Sequence, residues 1–407
     1  MSTPRTATRH CSTTWAGTPP WLPDPTAFPD PFRRPRRSCR AGVRHVTLTP
    51  SARSRSGPPL LRRRTLLGAA LSVAAAGLAG CAGDDTPTVR LAFDAPLPAE
   101  VPGGTVLRVG DKELQKAIEF SGEAEKFTFE VSWANISGGP QTLEAFRADA
   151  LDIGSVADIP PIHAAWTGLP TRIVAAKFRQ DPINHPIYQL GIAPGAGVAS
   201  LADLRGKRIA YSPGQAQGAL VLRVLHQAGL TKGDVKLVEL ASTGDVYPTA
   251  LASRQVDVAP IGGINIKRYL AKYGRDGGTA ISHGLRDDPG HLYAPERILQ
   301  DSAKAAAIRE YVQRWARAWV WIEQNPDEWI ERYYVKDQGL SREDGQWLVD
   351  NAGVPDIPAD WSEVITRHQQ TIDLLAKETG NKPLNAADLY DRRYEPLGAA
   401  AFGEGPK

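Results

Sequence analysis

Cysteine and methionine are scarce in this chain of 407 residues. It has three cysteines, Cys11, Cys39 and Cys81, and one methionine, Met1. Because only Cys81 lies beyond residue 80, the larger part of the chain has no cysteine pair for a disulfide or a zinc knuckle. The composition, 42% hydrophobic and 23% charged, is globular, and the length suffices for two compact lobes.

Acidic residues are nearly absent from the first 80 positions. That segment has 13 of the 48 basic residues, all Arg, but only two of the 45 acids, Asp24 and Asp30. The remainder therefore has 35 basic and 43 acidic residues, a formal charge of −8. A mildly acidic body argues against nucleic acid as a partner, since phosphate binding needs clustered Lys and Arg.

One hydrophobic run near the start is too short for a comfortable membrane span. It follows Arg62-Arg63-Arg64 and ends in Leu78-Ala79-Gly80-Cys81, the pattern of a signal peptide with a lipobox, in which a lipid is attached to Cys81. We expect residues 1–80 to be a disordered leader and signal peptide that is removed, and 81–103 to be a lipid-anchored tether. The protein is therefore expected to be exported and anchored by its lipid to the outer face of the cell membrane. Both Sec and twin-arginine export fit the arginines. A buried helix with a chance cysteine is the alternative.

Residues 1–60 have eleven of the 33 prolines and no lysine. With no apolar periodicity either, this stretch is typical of disorder. Since Met1 is the only methionine, translation could also start downstream, at Val43 or Val46. An unusually long true leader is the alternative, and either way the segment is absent from the mature protein.

Strands alternate with helices through the body, which predicts an α/β fold with largely parallel sheets. The pattern restarts near residue 190 and crosses back near His283, so we expect lobe 1 at 104–190 plus 283–400 and lobe 2 at 191–282. The predicted strands are 106–110, 127–133, 151–154, 173–176, 188–193, 235–240 and 256–260, and residues 201–211 are predicted to form a short helix, a turn and a strand. The predicted helices are 112–120, 142–150, one opened by Pro160-Pro161, 217–228, 246–252, 303–324 and 361–379, and the chain after His283 is expected to be mostly helical.

Several catalytic and metal motifs are missing. The body has no HxH or HExxH spacing, no P-loop, no Gly-x-Ser-x-Gly and no cysteine nucleophile, so we predict no metal and no cofactor. Tyr311, Trp315 and Trp319 recur every four residues on one predicted helix. Core packing explains this spacing better than an aromatic cage for a cation, which stays open as the alternative.

Four stretches resemble, in the right order, the aliphatic sulfonate/nitrate/taurine-binding family of ABC-transporter solute-binding proteins. They are Ser137-Gly138-Gly139-Pro140-Gln141 before Leu143-Glu144-Ala145; Leu151-Asp152-Ile153-Gly154-Ser155 with Asp158-Ile159-Pro160-Pro161; Leu201-Ala202-Asp203-Leu204-Arg205-Gly206-Lys207-Arg208-Ile209-Ala210; and Leu251 to Val258. The resemblance runs from about Val106 to Asn325. It implies a two-lobe clamp of periplasmic-binding-protein class II, with a small anionic or zwitterionic solute between the lobes and an ABC permease as partner.

Two departures from the family pattern concern the ligand. Pro260-Ile261-Gly262-Gly263 stands where the family often has a Trp, and Asp111-Lys112 follows the first strand where Tyr and Gln are frequent. A missing Trp leaves a roomier pocket with backbone at Gly262. An aspartate at the rim could meet a cationic group, so a simple inorganic anion is disfavoured.

Ligands of open α/β sheets bind outside the carboxyl ends of the strands, where this chain concentrates Gly, Pro and Ser. Helix N-termini offer free N–H groups and a partial positive charge, and glycine lets an anion approach the backbone. The candidate ligand residues are Ser137, Gly138, Gly139, Ser155, Asp158, Ser212, Gly214, Gln215, Asp111 and Gly262. N-capping by the serines and Asp158, and plain turns at the glycines, are the alternatives.

Two functions of different classes remain open. The lipobox favours a monomeric binding protein for an aliphatic sulfonate or a taurine-like compound, delivered to an ABC importer. The alternative is an enzyme with the same two-lobe fold, such as a pyrimidine-synthesis or deaminase-like relative.

Overall fold

The computed structural model describes residues 90–136 and 138–404. The strands are β1 Val106–Gly110, β2 Glu130–Trp133, β3 Ile153–Val156, β4 Thr171–Arg179, β5 Tyr188–Ile192, β6 Arg208–Tyr211, β7 Lys236–Glu239, β8 Val258–Gly262, β9 Thr279–Ile281, β10 Gly290–Pro295 and β11 Pro355–Asp356. The helices are α1 Lys112–Phe120, α2 Gly139–Arg147, α3 Ile159–Trp166, α4 Ala216–Gln227, α5 Val246–Ala252, α6 Ile264–Tyr273, α7 Glu296–Leu299, α8 Ser302–Gln324, α9 Pro326–Trp329, α10 Arg342–Ala352, α11 Ser362–Thr379 and α12 Glu395–Glu404. A π-helix spans Ile330–Asp337.

A six-stranded sheet in the order β11-β4-β10-β3-β1-β2 forms the centre of what we call lobe 1. Strands β1 to β4 run in one direction, and β10 returns between β3 and β4, antiparallel to both. The buried side chains of β1, Leu107 and Val109, belong to one core with the long helix α8. Helix α8 starts where the carboxylate of Asp301 accepts a hydrogen bond from the backbone of Lys304 at 3.0 Å, as an N-cap does.

The second sheet, in the order β7-β6-β8-β5-β9, forms lobe 2. Here β6, β7 and β8 are parallel and β5 runs against β8 and β9. Apolar clusters cover both faces of this sheet, one with α4 and the other with α5 and α6. Buried strands with helices on both faces are what α/β sheets require.

The chain passes between the two sheets twice, after β4 and after β9, and the two crossings are bonded to each other. Asp287 accepts hydrogen bonds from the backbone N–H groups of Ile187 at 2.9 Å and Tyr188 at 2.7 Å. Asp288 accepts one from the backbone of Arg179 at 2.7 Å. Both crossings leave from the carboxyl edge of a sheet, so the carboxyl edges of the two lobes face each other.

The α/β fold class is confirmed, and the sheets are mixed. The lobe division at 104–190 plus 283–400 and 191–282 stays a prediction; strand pairing itself changes sheet between Arg179 and Tyr188, and between Ile281 and Gly290. Since β5 pairs over its whole length with β8, the strand begins inside the second sheet rather than leading out of the first.

The chain after His283 is mostly helical, as predicted, from α7 to α12, although β10 lies in the interior of the lobe 1 sheet. Two local predictions need correction. The alternation over 127–133 yields a strand only from Glu130, because Phe127 follows a 3₁₀ turn at Ala124–Lys126 and stacks on Tyr311 at 6.1 Å. Gly262, predicted in a loop, is the last residue of β8.

No helix within residues 90–136 and 138–404 is long and apolar enough to cross a membrane. The predicted leader at 1–80 and the lipidated Cys81 lie outside the described residues, as does the start of the tether.

Candidate functional site

A cavity of about 630 Å³ lies between the lobes, beside the first crossing. Lobe 1 contributes the first turn of α1, the end of β4 and the helices from α8 to α10, and lobe 2 contributes β5 and the start of α6. Its walls combine charged, polar and aromatic side chains. They include Glu113, Lys177, Arg179, Gln189, Gly263, Ile266, Trp319, Trp329, Tyr334 and Trp347. This volume and lining are typical of a site for a small organic molecule.

Two cations at the end of β4 reach this cavity. The ammonium of Lys177 lies 4.0 Å from the ring centroid of Trp319, and it has no ion pair or hydrogen bond within the described residues. Burial, and next the like charge of Arg179, lower the pKa of Lys177 to about 8. The guanidinium of Arg179 donates to the carbonyl of His185 at 2.5 Å. An anion in the cavity would give Lys177 the charged partner that it lacks.

Two carboxyl groups lie close to these cations. Asp111 caps α1 with one oxygen, which accepts from the backbone of Leu114 at 3.2 Å, while its other oxygen is buried without a partner. Burial raises the pKa of Asp111 to about 7, although the bond from Leu114 and the nearby Ser155 and Lys177 oppose this. Burial also raises the pKa of Glu113, against the pull of Lys177 and Arg179. Acids and bases that are close but unpaired suit a ligand with charges of both signs.

Helix α8 brings three polar atoms without partners to the same region. The hydroxyl of Tyr311 and the indole nitrogens of Trp315 and Trp319 are buried and make no hydrogen bond. Tyr311 and Trp315 are core residues, as the spacing predicted, with 0% and 2% of their surface exposed. Trp319 differs because it lines the cavity and carries Lys177 on its face. One ring against a lysine of the same chain is not an aromatic cage, so that alternative is not supported by Tyr311 or Trp315 and stays a prediction for Trp319.

The predicted glycine loops meet at helix α3. A Cβ on Gly139 would lie 2.4 Å from Pro160, and one on Gly214 would lie 3.0 Å from the ring of His163. Thus loops from both lobes touch the same helix. Gly138, with φ of 86°, precedes α2 and its carbonyl accepts from the Thr142 hydroxyl at 2.9 Å.

Asp158 stands at the N-cap of α3 but makes no capping hydrogen bond, so the capping alternative does not describe its side chain. It is 9% exposed, and burial raises its pKa while His368 and then Arg223 lower it.

In lobe 2, Ser212 is buried and its hydroxyl has no hydrogen-bond partner, although the equally unpartnered hydroxyl of Tyr247 is near. Helix α4 starts after Gln215, so Ser212 does not cap it. The Gln215 amide oxygen is occupied, because it accepts from the Ser242 hydroxyl. Gly262 lies against Tyr188, where a Cβ would come within 2.7 Å of the ring.

The predicted residues therefore fall into two groups. Asp111 and Ser155 lie near each other and near Lys177, which lines the cavity, and Gly262 precedes the lining residue Gly263, but none of these three is itself a lining residue. Gly138, Gly139, Asp158, Ser212, Gly214 and Gln215 do not line this cavity. Ser137 lies outside the described residues. Whether any of these residues contacts ligand stays a prediction.

Sequence reasoning missed Lys177, Arg179, Glu113 and Trp319 as site residues. The predicted strand ended at Ala176, whereas β4 continues to Arg179, which puts both cations at the carboxyl edge of the sheet. The sequence signal that could have predicted these site residues was a cation directly after an apolar strand. Among the described residues, no group of three or more His, Cys, Asp or Glu side chains is arranged to hold a metal ion.

Comparisons with known proteins agree with the motifs. Residues 136–329 match the model of the NMT1/THI5-like family. A provisionally assigned aliphatic sulfonates-binding protein of Escherichia coli (strain K12) is 34% identical over 106 residues, 26% of this chain and 32% of that protein. This chain spans about half the length of other curated relatives that it matches, 55% in each case. These matches confirm the resemblance to the sulfonate-binding group of solute-binding proteins.

Solved structures show the fold. The alkanesulfonate-binding protein SsuA from Xanthomonas axonopodis pv. citri, bound to MOPS, superposes with a TM-score of 0.57 at 22% identity, covering 75% of this chain and 99% of that one. The desulfurization enzyme DszB has a TM-score of 0.51 at 16% identity, covering 72% and 99%. The predicted two-lobe periplasmic-binding-protein fold is thereby confirmed, and it is shared by binding proteins and an enzyme.

Proposed function

We propose, from this resemblance and the charged cavity, that the chain is the solute-binding component of an ABC importer. It captures a small organic anion, an aliphatic sulfonate or a taurine-like compound, between its lobes outside the cytoplasm. The observation that carries the proposal is the half-buried Lys177 side chain, whose ammonium lies in the interlobe cavity without an ion pair within the described residues. A cation in that state is unfavourable until an anion reaches it.

The residues around Lys177 support a zwitterion over a simple anion. A sulfonate or carboxylate at Lys177 would leave Asp111 and Glu113 nearby to accept hydrogen bonds from an ammonium group. The indole N–H of Trp319, buried and free, is a further donor for the anion. Hydrogen bonds to charged groups contribute about 1.5–3 kcal/mol each, so a few of them support roughly micromolar affinity after association costs.

Lobe closure is supported by ion pairs across the cleft. Lys267 of α6 lies 2.8 Å from Asp344 and 3.0 Å from Glu343 of α10. These residues are partly exposed, so each pair is weak and opening costs little. That suits a carrier which must release its ligand to a permease.

The membrane anchor belongs to the same proposal. Lipidation of Cys81 would tether the domain near its permease through residues 81–103, and acyl burial is independent of ligand chemistry. Intact-mass analysis of membrane-extracted protein should show the chain from Cys81 plus lipid. A species that keeps residues 1–80 without lipid would contradict this part alone. Cys81→Ser should release the protein from membranes with unchanged ligand affinity.

The fold by itself does not separate binding from catalysis. We favour binding because the relative at 34% identity is assigned as a binding protein, whereas the enzyme relative shares the fold at 16% identity.

Calorimetry on the chain from residue 82 tests the proposal, with ethanesulfonate, taurine and nitrate as ligands. We expect micromolar binding of ethanesulfonate or taurine, little binding of nitrate, and a smaller radius of gyration in solution scattering with ligand. Absence of binding by every organic anion in the panel would reject the function. Binding without compaction would reject the clamp and favour a rigid, enzyme-like cleft.

A further inference from the structure

A second cavity, of about 820 Å³, lies beside the other crossing. Lobe 2 contributes one face of α4, the crossing contributes residues around Gly284 to Pro289, and lobe 1 contributes α11 and the end of β4. The two cavities share no lining residue. None of the motifs that resemble the solute-binding family accounts for this second space, apart from Asp158 at one end.

Cations without partners stand in this cavity. Arg223 of α4 and Lys377 of α11 make no hydrogen bond or ion pair within the described residues. Two other cations are already occupied: Arg286 pairs with Asp288 at 2.9 Å, and Arg367 pairs with Glu363. Of the carboxylates in the wall, Asp373 accepts from Gln369 at 2.7 Å. The free charge is therefore mainly positive, with Asp158 facing Arg223 as the exception.

The rest of the wall is apolar and aromatic. Phe178 lies between two guanidinium groups, with that of Arg367 5.1 Å and that of Arg286 5.5 Å from its ring centroid. Leu285, Val364 and Leu374 complete this side. His291, 2% exposed, lines the same space with a ring nitrogen that has no hydrogen-bond partner. The volume exceeds what an inorganic anion needs and lies in the range of pockets for organic ligands.

We propose that this cavity is a second binding site, for an organic anion with an aromatic ring. Arg223 and Lys377 hold the negative charge, while the ring packs on the half-buried side chains of Leu285 and Leu374. Because the walls come from both lobes and from the crossing, the occupant binds best to one arrangement of the lobes. By linkage it changes the affinity of the interlobe cavity for its solute.

Binding of 2-naphthalenesulfonate to the chain from residue 82, followed by calorimetry, tests the site. Arg223→Gln with Lys377→Gln should weaken binding at least tenfold. The matched control is Arg275→Gln with Lys382→Gln, which removes two exposed cations elsewhere and should leave the affinity unchanged. Since neither Arg223 nor Lys377 makes a hydrogen bond or ion pair within the described residues, and Arg223 only attracts Asp158, the variant should keep nearly the melting temperature of the parent protein, which is checked alongside.

Lys177→Gln separates this site from the interlobe cavity. It should weaken ethanesulfonate or taurine and spare 2-naphthalenesulfonate. If the aromatic sulfonate does not bind, or if its affinity follows Lys177 and ignores Arg223 and Lys377, the second site is rejected while the proposed function stands. If ethanesulfonate and taurine fail to bind while 2-naphthalenesulfonate still binds, the proposed function is rejected and the second site stands.

Discussion

The two walls of the interlobe cavity differ in charge. Lobe 1 places Glu113, Lys177 and Arg179 there, whereas the side chains from lobe 2 are those of Gln189 and Ile266, with the backbone of Gly263 between them. Ligand charge is thus recognised by one lobe, and the other offers neutral donors and apolar surface. We expect the ligand to bind lobe 1 first and lobe 2 to close over it. Four predictions test this asymmetry.

The largest expected effect concerns Asp111 and pH. Its pKa, raised by burial to about 7 from 3.8, means that the folded protein binds a proton more readily than the unfolded chain. The contribution of Asp111 to the free energy of unfolding should therefore be most favourable below about pH 4 and fall as pH rises to about 7, by up to roughly 4 kcal/mol for the full shift.

Asp111→Asn should flatten this decline in denaturant titrations at a series of pH values. The control is Asp245→Asn, which makes the same substitution in lobe 2 and should keep the parent protein's decline of stability with pH. If both variants keep it, Asp111 is better solvated than its environment indicates, and the asymmetry of the two walls is smaller.

Lys177→Gln tests the charged wall directly. Loss of the ammonium should weaken binding of the best sulfonate by 10- to 100-fold, about 1.5–3 kcal/mol, as measured by calorimetry. Stability should not fall, because a buried cation without an ion pair is removed. The gain of the variant over the parent protein should grow as pH falls from 10.5 to about 8 and persist below it, because the folded pKa of Lys177 is lowered to about 8 and the parent protein loses stability over that interval.

Lys236→Gln is the control for Lys177, because Lys236 is exposed on β7 at the far edge of lobe 2. Equal affinity of the parent protein and Lys177→Gln would show that Lys177 does not hold the anion.

Gly214→Ala tests the contact that lobe 2 makes with α3. The residue has φ of 75°, and a Cβ would meet the ring of His163 at 3.0 Å. We expect a loss of about 1–2 kcal/mol in stability from the left-handed backbone, together with weaker binding, because the methyl group pushes the lobes apart.

Gly229→Ala is the matched control for Gly214. It has φ of 65° in the same lobe, with no atom within 4 Å of the added Cβ, so it should lose similar stability and bind normally. Equal binding by the two alanine variants would show that this contact plays no part in closure.

Much of the fold could be predicted from the sequence where local signals agree. Helix α1 was predicted with its observed ends, because Asp111 caps it and Leu114, Ala117 and Ile118 repeat at helical spacing. Strand β10 was missed. Its sequence, Gly-His-Leu-Tyr-Ala-Pro, has no β-branched residue, and burial between β3 and β4, which is a tertiary effect, makes it a strand.

The site was less predictable for the same reason. Serine and glycine motifs located the loops that meet at α3, but not the residues that line the cavity. Lys177 is distant in sequence from Asp111 and Trp319, and only the fold brings the three together. The sequence therefore predicted that the site lies at the carboxyl edge of the sheet, but it did not predict which side chains line the cavity there.

The smallest expected effect on stability is that of Ser212→Ala, in lobe 2. Its hydroxyl is buried without a partner and caps no helix, so the change should alter the free energy of unfolding by less than about 0.5 kcal/mol. A capping serine would lose about 1 kcal/mol, and Ser341→Ala, whose hydroxyl accepts from the backbone of Asp344 at 3.0 Å, provides that reference. If Ser212 turns its hydroxyl to the ligand, calorimetry should show binding weakened by about 1–3 kcal/mol with stability intact. Unchanged affinity would restrict recognition to lobe 1, and a capping-sized loss of stability would mean that Ser212 has a structural role.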